Sequence, residues 1–237
     1  MNSCMFNTIP GYIFGYWISR AILESFANGR RLDSISDPKK GLSTGNNDRF
    51  FRLWFEISIN DAYFGAADYI QAMFTGKKWF PISKGGEYRK WYGNNSYIVN
   101  YQNNGKELLS FEGAIIRNSP YYFLESLTWT DLTSGDISFR YNEKGFIHDV
   151  AGPCVFNLDA NLKYVFGLLN SKVANKILSF TSPTLHYNIG TLCDFPVIIN
   201  EEYRNYIEGL VSINVEKTKT DWDSFEESWD FKKHPLA

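Results

Sequence analysis

The sequence predicts an α+β fold, in which a β-rich core of mixed and antiparallel strands is flanked by helices. Short runs rich in β-branched and aromatic residues, separated by turns containing Asn or Gly, fill most of residues 50–156. Helical patterns lie before residue 29 and after residue 158. Strands and helices are therefore segregated along the chain, and segregation is typical of α+β rather than of parallel α/β folds.

The first predicted element is a helix from Tyr12, which ends near the C-cap signal Asn28-Gly29. A polar connector follows at residues 30–40, with Asp37-Pro38 as a breaker. Residues 61–75 carry alanines and apolar residues at helical spacing, which predicts a short helix between strands. The predicted strands lie at residues 50–59, 97–101, 112–116, 127–132, 137–140 and 146–150.

A single long helix is predicted at residues 159–180, because its apolar residues form one stripe and Ser182-Pro183 ends it. A late strand is expected at 195–199, and helical pieces at 201–211 and 223–231. The patterns divide the chain into three parts. These are an N-terminal helix and connector (1–40), a central domain (41–199), and a helical C-terminal brace or linker (200–237).

The bulk properties exclude several classes of protein. The chain has 237 residues and a formal net charge of −2, so it is not a basic protein that coats DNA. Three widely spaced cysteines argue against a disulfide framework and against a zinc site. No apolar run approaches the roughly 20 residues needed to span a bilayer, and the first residues lack a secretory signal. A cytoplasmic protein without a membrane partner is expected.

A polar segment bracketed by glycines opens the central domain and turns apolar at its end, over Gly41–Trp54. Short hydroxyl and amide side chains beside glycines can contact phosphate or sugar, and the glycines let a backbone approach closely. A surface turn with capping side chains is the alternative reading. The candidate contacts to nucleic-acid backbone in this segment are Ser43, Thr44, Asn46, Asn47 and Arg49.

The segment 77–95 is the strongest candidate for a contact surface, because it contains five basic residues and a single acidic residue, Glu87. Lysines and arginines neutralise phosphates, aromatic rings stack on bases, and asparagine pairs with adenine edges. The alternative is a solvated basic hairpin whose tryptophans lie in the core. The candidates are Lys77, Lys78, Lys84, Arg89, Lys90, Trp91, Tyr92, Asn94 and Asn95.

Further candidates lie outside this segment. Tyr187 follows the long predicted helix in a loop, where a structural role is the alternative. Arg117 and Arg140 lie at predicted strand edges, where an arginine either enters a groove or is an ordinary surface charge. His148 and Asp149 are neighbours on a predicted strand, so their side chains point to opposite faces and do not form a base with its orienting carboxylate.

Several segments, taken in order, resemble one known family. They begin with the Gly41–Trp54 segment and the Trp79–Asn95 segment. The others are 145–152, 168–172 followed by 183–190, and 222–226 through 234–236. In order and spacing they resemble the C-terminal target-recognition domain, of the TaqI-like specificity type, found in large adenine-specific DNA methyltransferases. The resemblance is strongest to the PglX-type enzymes of BREX phage-defence systems and extends to fused type II restriction–modification enzymes.

The resemblance implies a division of labour. Double-stranded DNA is the expected partner, together with a methyltransferase catalytic domain in the same or an adjacent chain. That domain would bind S-adenosylmethionine, and no cofactor is expected in this chain. The sequence has no glycine-rich loop for such a cofactor, and Asn118-Ser119-Pro120-Tyr121 lacks one proline of an adenine-methyltransferase motif. The chain is therefore not expected to be an enzyme by itself.

Two other functions remain open from the residues alone. The high aromatic content, 17%, fits a carbohydrate- or protein-binding module, although lysines interleaved among the aromatics argue against sugar. A hydrolase or nuclease with an unrecognised site is the other. The paired carboxylates that a two-metal nuclease requires do not stand out in the sequence.

Overall fold

The structure is a computed structural model, and it describes residues 18–182, 184–234 and 236. Its elements are those of an α+β protein, as predicted. The helices are α1 Arg20–Asn28, α2 Asn47–Phe50, α3 Tyr69–Phe74, α4 Gln102–Leu109, α5 Leu162–Leu169, α6 Lys172–Thr181, α7 Ile189–Cys193 and α8 Arg204–Trp222. The strands are β1 Arg30–Arg31, β2 Asp37–Lys39, β3 Phe51–Leu53, β4 Trp79–Ser83, β5 Tyr97–Asn100, β6 Ser126–Trp129, β7 Phe139–Asn142, β8 Ile147–His148, β9 Cys154–Phe156 and β10 Pro196–Val197.

Most of the strands belong to two four-stranded sheets. The mixed sheet has the order β3-β5-β4-β8, and its β4–β8 pair is parallel. The antiparallel sheet has the order β2-β9-β6-β7, and β1 and β10 form a separate antiparallel ribbon. The hydroxyls of Ser83 on β4 and Thr128 on β6 are hydrogen-bonded at 2.7 Å in the buried interior. This contact joins the two sheets.

Each sheet has its own apolar core. The mixed sheet packs around Phe80, Ile82, Val99 and Phe123, all essentially inaccessible to solvent. The antiparallel sheet packs its Trp129 and Phe139 against the helices α5 and α6. The segments that connect the two sheets therefore lie between two packed cores.

Residues 37–39 form a strand and not the predicted breaker. Asp37-Pro38-Lys39 is β2, which pairs with β9 in an antiparallel register that places Pro38 opposite Val155. The sheet order puts β2 at an edge of the sheet. A proline is tolerated there, because its missing N–H can point away from the neighbouring strand, where no hydrogen bond is required. The connector prediction was wrong because strand pairing outweighed the local Asp-Pro signal.

Two predicted strands are shorter or absent. The 50–59 prediction holds only over β3, because a 3₁₀ turn at Trp54–Glu56 follows, with the Glu56 carboxylate accepting from the Leu53 amide at 2.8 Å. Residues 112–116 form no strand. There, Ile115 makes an isolated bridge with Ser43. The strands predicted at 97–101 and 137–140 are found within two residues of their expected bounds, and the strand predicted at 127–132 is found as β6, which ends three residues early.

The long helix predicted at 159–180 is two helices, α5 and α6, preceded by a 3₁₀ turn. The break lies at Asn170, whose side-chain amide bonds the backbone N–H and C=O of Phe139 at 3.0 and 3.1 Å. Ser171 then caps α6 by accepting from the Ala174 amide. The apolar stripe continues across the break, so its periodicity did not reveal it.

The remaining helix predictions hold in part. α1 ends at Asn28 with Gly29 as its C-cap residue, as predicted, whereas residues 12–17 of that helix lie outside the described residues. The helix predicted at 61–75 is confined to α3. The first of the two late helical pieces, 201–211, belongs to the longer helix α8, whereas the second, 223–231, forms turns and bends and no helix, so that prediction was wrong. No described helix has the length and apolarity needed to cross a membrane.

The segment after residue 200 contacts both sheets' cores. Ile207, Val211 and Val215 of α8 join the core of the antiparallel sheet. Beyond α8, the ring of Trp229 lies 4.8 Å from Phe64 and 5.8 Å from Phe146, beside the mixed sheet. The three-part division of the chain stays a prediction, and β2 and β1 pair with strands on the far side of its first boundary.

Candidate nucleic-acid interface

The β4–β5 loop, residues 84–96, contains most of the predicted contact surface. Its backbone turns sharply, with positive φ at Gly85, Gly86, Trp91, Gly93 and Asn94. A Cβ at Gly93 would lie 2.6 Å from Arg89 Nε, so this close approach requires glycine. The loop is therefore a specific turn and not a loose hairpin.

Hydrogen bonds from β7 and from Thr130, which follows β6, fix the β4–β5 loop against the antiparallel sheet. Trp91 exchanges backbone bonds with β7, donating to Phe139 O at 2.9 Å and accepting from the Tyr141 amide at 2.8 Å. Thr130 Oγ1 donates to Gly86 O at 2.9 Å. Within the loop, Asn94 Nδ2 donates to Glu87 O at 2.9 Å. The loop is preformed in the free chain.

Arg140 is a buried cation under this loop. Its side chain is 1% exposed and donates to Thr130 Oγ1 at 3.2 Å and to Arg89 O at 3.5 Å. Burial lowers its pKa to about 10, and no carboxylate of the described residues forms an ion pair with it. The reading of Arg140 as a surface or groove-entering charge was wrong, because β7 turns its side chain into the interior.

Of the predicted stacking residues, Tyr92 lies inside the protein and Trp91 is half-buried. The Trp91 ring packs edge-on against Phe166 with centroids 5.1 Å apart. Tyr92 is 4% exposed, and its hydroxyl accepts from Lys219 Nζ at 2.8 Å. Asn95 is also buried. In this conformation Tyr92 and Asn95 support the loop and are not available to bases, whereas Trp91 is partly exposed where it lines a groove between α5 and α8.

Most of the predicted basic residues already have partners within the chain. Lys77 Nζ donates to Asn60 O, and Lys90 Nζ donates to Asn170 O at 2.7 Å. Arg89 pairs with Asp221 and lies over the Trp222 ring. Part of the positive charge that the sequence places in this segment is therefore paired with groups of the chain itself and is less available to phosphate.

Two lysines of the segment are placed differently. Lys84 Nζ lies 4.4 and 4.6 Å from the centres of the Phe51 and Tyr97 rings, and burial lowers its pKa. Lys78 is exposed beside the Trp79 ring. Lys78 is therefore the predicted lysine whose ammonium is most open to a phosphate.

Tyr88 is the residue that the sequence analysis missed. It stands at the tip of the β4–β5 loop beside Glu87 and is 56% exposed. The available signal was its position directly after Gly85-Gly86-Glu87, away from the strand-flanking aromatics. An exposed aromatic ring on a fixed loop can stack on a base or sugar.

The Gly41–Arg49 segment is built mainly from internal contacts. Thr44 is buried and its hydroxyl donates to Asn47 Oδ1 at 2.7 Å. Asn46 caps α2 by accepting from the Arg49 amide at 3.0 Å, which is the capping alternative. Arg49 pairs with Glu107 at 2.7 Å. Ser43 bonds Ile115 through its backbone in both directions.

Of the remaining candidates, Arg117 is exposed and Tyr187 lies in the interior. Tyr187 is 8% exposed, and its carbonyl accepts from Trp129 Nε1 at 2.7 Å. His148 is 1% exposed between the rings of Tyr122 and Phe156, each 5.0 Å away, and burial lowers its pKa to about 3. Asp149 instead accepts from the Ala151 amide. Among the described residues, no cluster of His, Cys, Asp and Glu is arranged to hold a metal.

Comparison with known proteins gives two extended matches. No protein-family model matches the chain. It is 40% identical over 236 residues to the adenine-specific methyltransferase BrxX of Escherichia coli O9:H4 (strain HS), covering 98% of this chain and 18% of that protein. It is 34% identical over 241 residues to the adenine-specific methyltransferase PglX of Lacticaseibacillus casei (strain Zhang), covering 98% of this chain and 20% of that protein. The chain thus spans at most a fifth of the length of these relatives.

Proposed function

We propose that this chain, a homologue of one segment of the adenine-specific methyltransferases BrxX and PglX, is the DNA-recognition module of such an enzyme. The match along 98% of the chain to both relatives is the observation that carries the proposal. It agrees with the family resemblance of the motifs. The module's contribution is to bind double-stranded DNA and select the sequence at which adenine is methylated, as part of bacterial defence against phage.

The β4–β5 loop is the part of the surface best suited to this task. It is fixed before binding, so little conformational entropy is lost when it enters a groove. Its tip presents Tyr88, with Lys78 exposed elsewhere in the same predicted segment. The buried Arg140 beneath it adds positive potential without a neutralising carboxylate among its described contacts. We propose that Tyr88 contacts a base or sugar and that Lys78 contacts phosphate.

The remainder of the methyltransferase polypeptide would supply the chemistry. S-adenosylmethionine would be bound there, and methyl transfer to the exocyclic amine of adenine would occur there. The present chain would hold the duplex and fix its register while the target base leaves the stack. The Gly41–Arg49 segment would orient this module and touch the DNA backbone through the exposed side chains of Asn46, Asn47 and Arg49.

The carbohydrate-binding alternative is not favoured. A sugar platform needs coplanar, exposed aromatic rings. Trp79 is 7% exposed, Tyr92 is 4% exposed, and Trp91 packs on Phe166. Trp79 and Tyr92 are therefore core residues, and the half-buried Trp91 is packed against the core.

A chimera tests the proposal. The matching segment of E. coli BrxX is replaced by this chain, and the methylated adenines in a host genome are mapped by sequencing. The expected result is methylation at a site that differs from that of the unaltered E. coli enzyme. An active chimera that still methylates the E. coli site contradicts the proposal.

A variant pair then tests the loop. Tyr88→Ala in the chimera is expected to weaken DNA binding about tenfold, equivalent to about 1.4 kcal/mol, as expected for loss of one stacking contact. Tyr69→Ala removes a ring that is 53% exposed on α3, outside both the loop and helix α8, and is the matched control. Fluorescence anisotropy with duplex DNA measures both. Equal binding by the two variants excludes Tyr88 as a contact.

A further inference from the structure

Helix α8 carries a second apolar face that nothing in the described structure covers. Tyr203, Tyr206, Leu210 and Ile213 are 52%, 68%, 45% and 48% exposed. Their spacing of three, four and three residues places them in one stripe. The neighbouring face of the same helix, which carries Ile207, Val211 and Val215, is packed in the antiparallel sheet's core. A helix that is apolar on two faces is typical of a position between two layers of protein.

A groove of about 410 Å³ continues this stripe. It runs between α8 and the α5–α6 pair, and its lining includes Leu168, Val173, Ile207 and Leu210. Leu210 belongs both to the stripe and to the groove. Val173, on the far wall, is 56% exposed. Stripe and groove form one continuous apolar surface, here called the α8 surface, which has the shape that accepts an amphipathic helix.

The arginine at the start of α8, beside the α8 surface, is neutralised within the chain. The guanidinium of Arg204 pairs with Glu201 and with Glu208 and also donates to Ala160 O. A cation already engaged by two carboxylates has little attraction left for phosphate. The surface therefore suits an apolar protein partner and not nucleic acid.

We infer that the α8 surface docks a helix from the remainder of the methyltransferase polypeptide. The relatives place about four fifths of their length outside the matched segment, so a covering body of that size exists in such enzymes. This docking fixes the recognition module relative to the catalytic part. The inference rests on the proposed function only in taking that polypeptide as the partner, and it makes no use of where DNA binds.

Hydroxyl-radical footprinting without DNA tests the inference. Oxidation of tyrosine side chains is compared between this chain alone and the chimera in which it replaces the matching segment of E. coli BrxX. Tyr203 and Tyr206 are expected to react at least fivefold more slowly in the chimera. Tyr69, 53% exposed on α3, is the control and keeps its rate. Buried Tyr164 reports in both samples that the chain is folded.

Two outcomes overturn the inference. One is an unchanged rate at Tyr206 in the folded chimera. The other is protection of Tyr206 in the chain alone that grows with concentration, which would assign the surface to a second copy. Failure of the proposed function is separate, since it would appear as an unchanged methylation site and would leave these rates unaffected.

A binding measurement gives an independent readout that needs no chimera. The chain is added in trans to BrxX lacking the matching segment, and association is measured by analytical ultracentrifugation. Leu210→Glu is expected to weaken association at least tenfold. Phe74→Glu places the same charge on a side chain that is 78% exposed on α3 and is expected to change nothing. Equal association by the two variants, or none by the unaltered chain, contradicts the inference.

Discussion

Lys219 Nζ donates to Tyr92 OH at 2.8 Å and lies 4.4 Å from the centre of the same ring. Glu143, Asp223 and Asp230 approach the same ammonium at 3.5–3.8 Å. Burial opposes the charged form, but the Tyr92 hydrogen bond and the carboxylates outweigh it and raise the pKa of Lys219. The last turns of α8 therefore hold the β4–β5 loop in place.

Lys219→Met is expected to lower the free energy of unfolding by about 1–2 kcal/mol, since it removes a charge-assisted hydrogen bond and leaves three carboxylates without their cation. Urea unfolding measures the loss, and amide hydrogen exchange of residues 85–92 should accelerate. Lys217→Met removes an exposed lysine from the same helix and is the control. If the two variants unfold at the same urea concentration, the contacts of Lys219 with Tyr92 and the three carboxylates do not stabilise the fold.

Gly41→Ala is expected to destabilise the chain by more than about 4 kcal/mol, because the position has no room for a side chain. The added Cβ would lie 1.6 Å from His148 O, the carbonyl that accepts from the Leu42 amide. Gly135→Ala is the control, since no atom lies within 4 Å of its added Cβ. Thermal unfolding compares the two. If the Gly41→Ala protein were as stable as the parent, the backbone of Gly41 could not lie as close to the His148 carbonyl as the structure places it.

Asn46→Ala is expected to cost about 1 kcal/mol, the usual value for loss of a helix N-cap. The Asn46 side chain accepts from the Arg49 amide at 3.0 Å at the start of α2. Asn46→Asp keeps an acceptor and should retain the stability of the parent. Both variants are measured by chemical denaturation. If Asn46→Ala is fully stable while DNA binding falls, the side chain acts at the DNA and not as a cap.

The buried His148 predicts a pH dependence of stability. Its pKa is lowered from 6.5 to about 3 in the folded chain, so between these values the unfolded chain binds the extra proton. Stability should therefore fall as pH decreases from 7, by about 2 kcal/mol on reaching pH 5. The carboxyl of Asp149, whose pKa burial raises, acts in the opposite direction, so the effect of His148 is isolated by comparison with a variant that lacks the histidine.

His148→Gln tests this dependence, because glutamine carries no charge at any of these pH values. The free energy of unfolding of the variant should be nearly flat between pH 5 and 7, whatever its absolute value. Urea unfolding at several pH values gives the two slopes. Parallel slopes for the parent and the variant would show that His148 is not the titrating group.

Local signals in the sequence correctly predicted features that depend on residues adjacent in the chain, such as a helix end and a turn. Asn28-Gly29 ends α1, and Asn103-Asn104-Gly105 adopts the left-handed φ values of the predicted turn, although it lies within the bounds of α4. The break at Asn170 was missed because its cause is the Phe139 backbone on another strand, 31 residues earlier. The β-strand at Asp37–Lys39 was missed because its stability comes from pairing with β9.

The sequence by itself determined the α+β class, the order of the motifs and, through them, the relationship to adenine-specific methyltransferases. Only the tertiary structure decided which side chains of residues 77–95 face outward. Arg89 meets Asp221 across 132 residues, Tyr92 meets Lys219 across 127, and Lys90 meets Asn170 across 80. Charge and aromaticity are properties of a residue, whereas exposure depends on partners that are distant in the chain. For that reason the sequence could not show that Tyr88 is exposed at the tip of the loop, or that Tyr92 is buried beneath it.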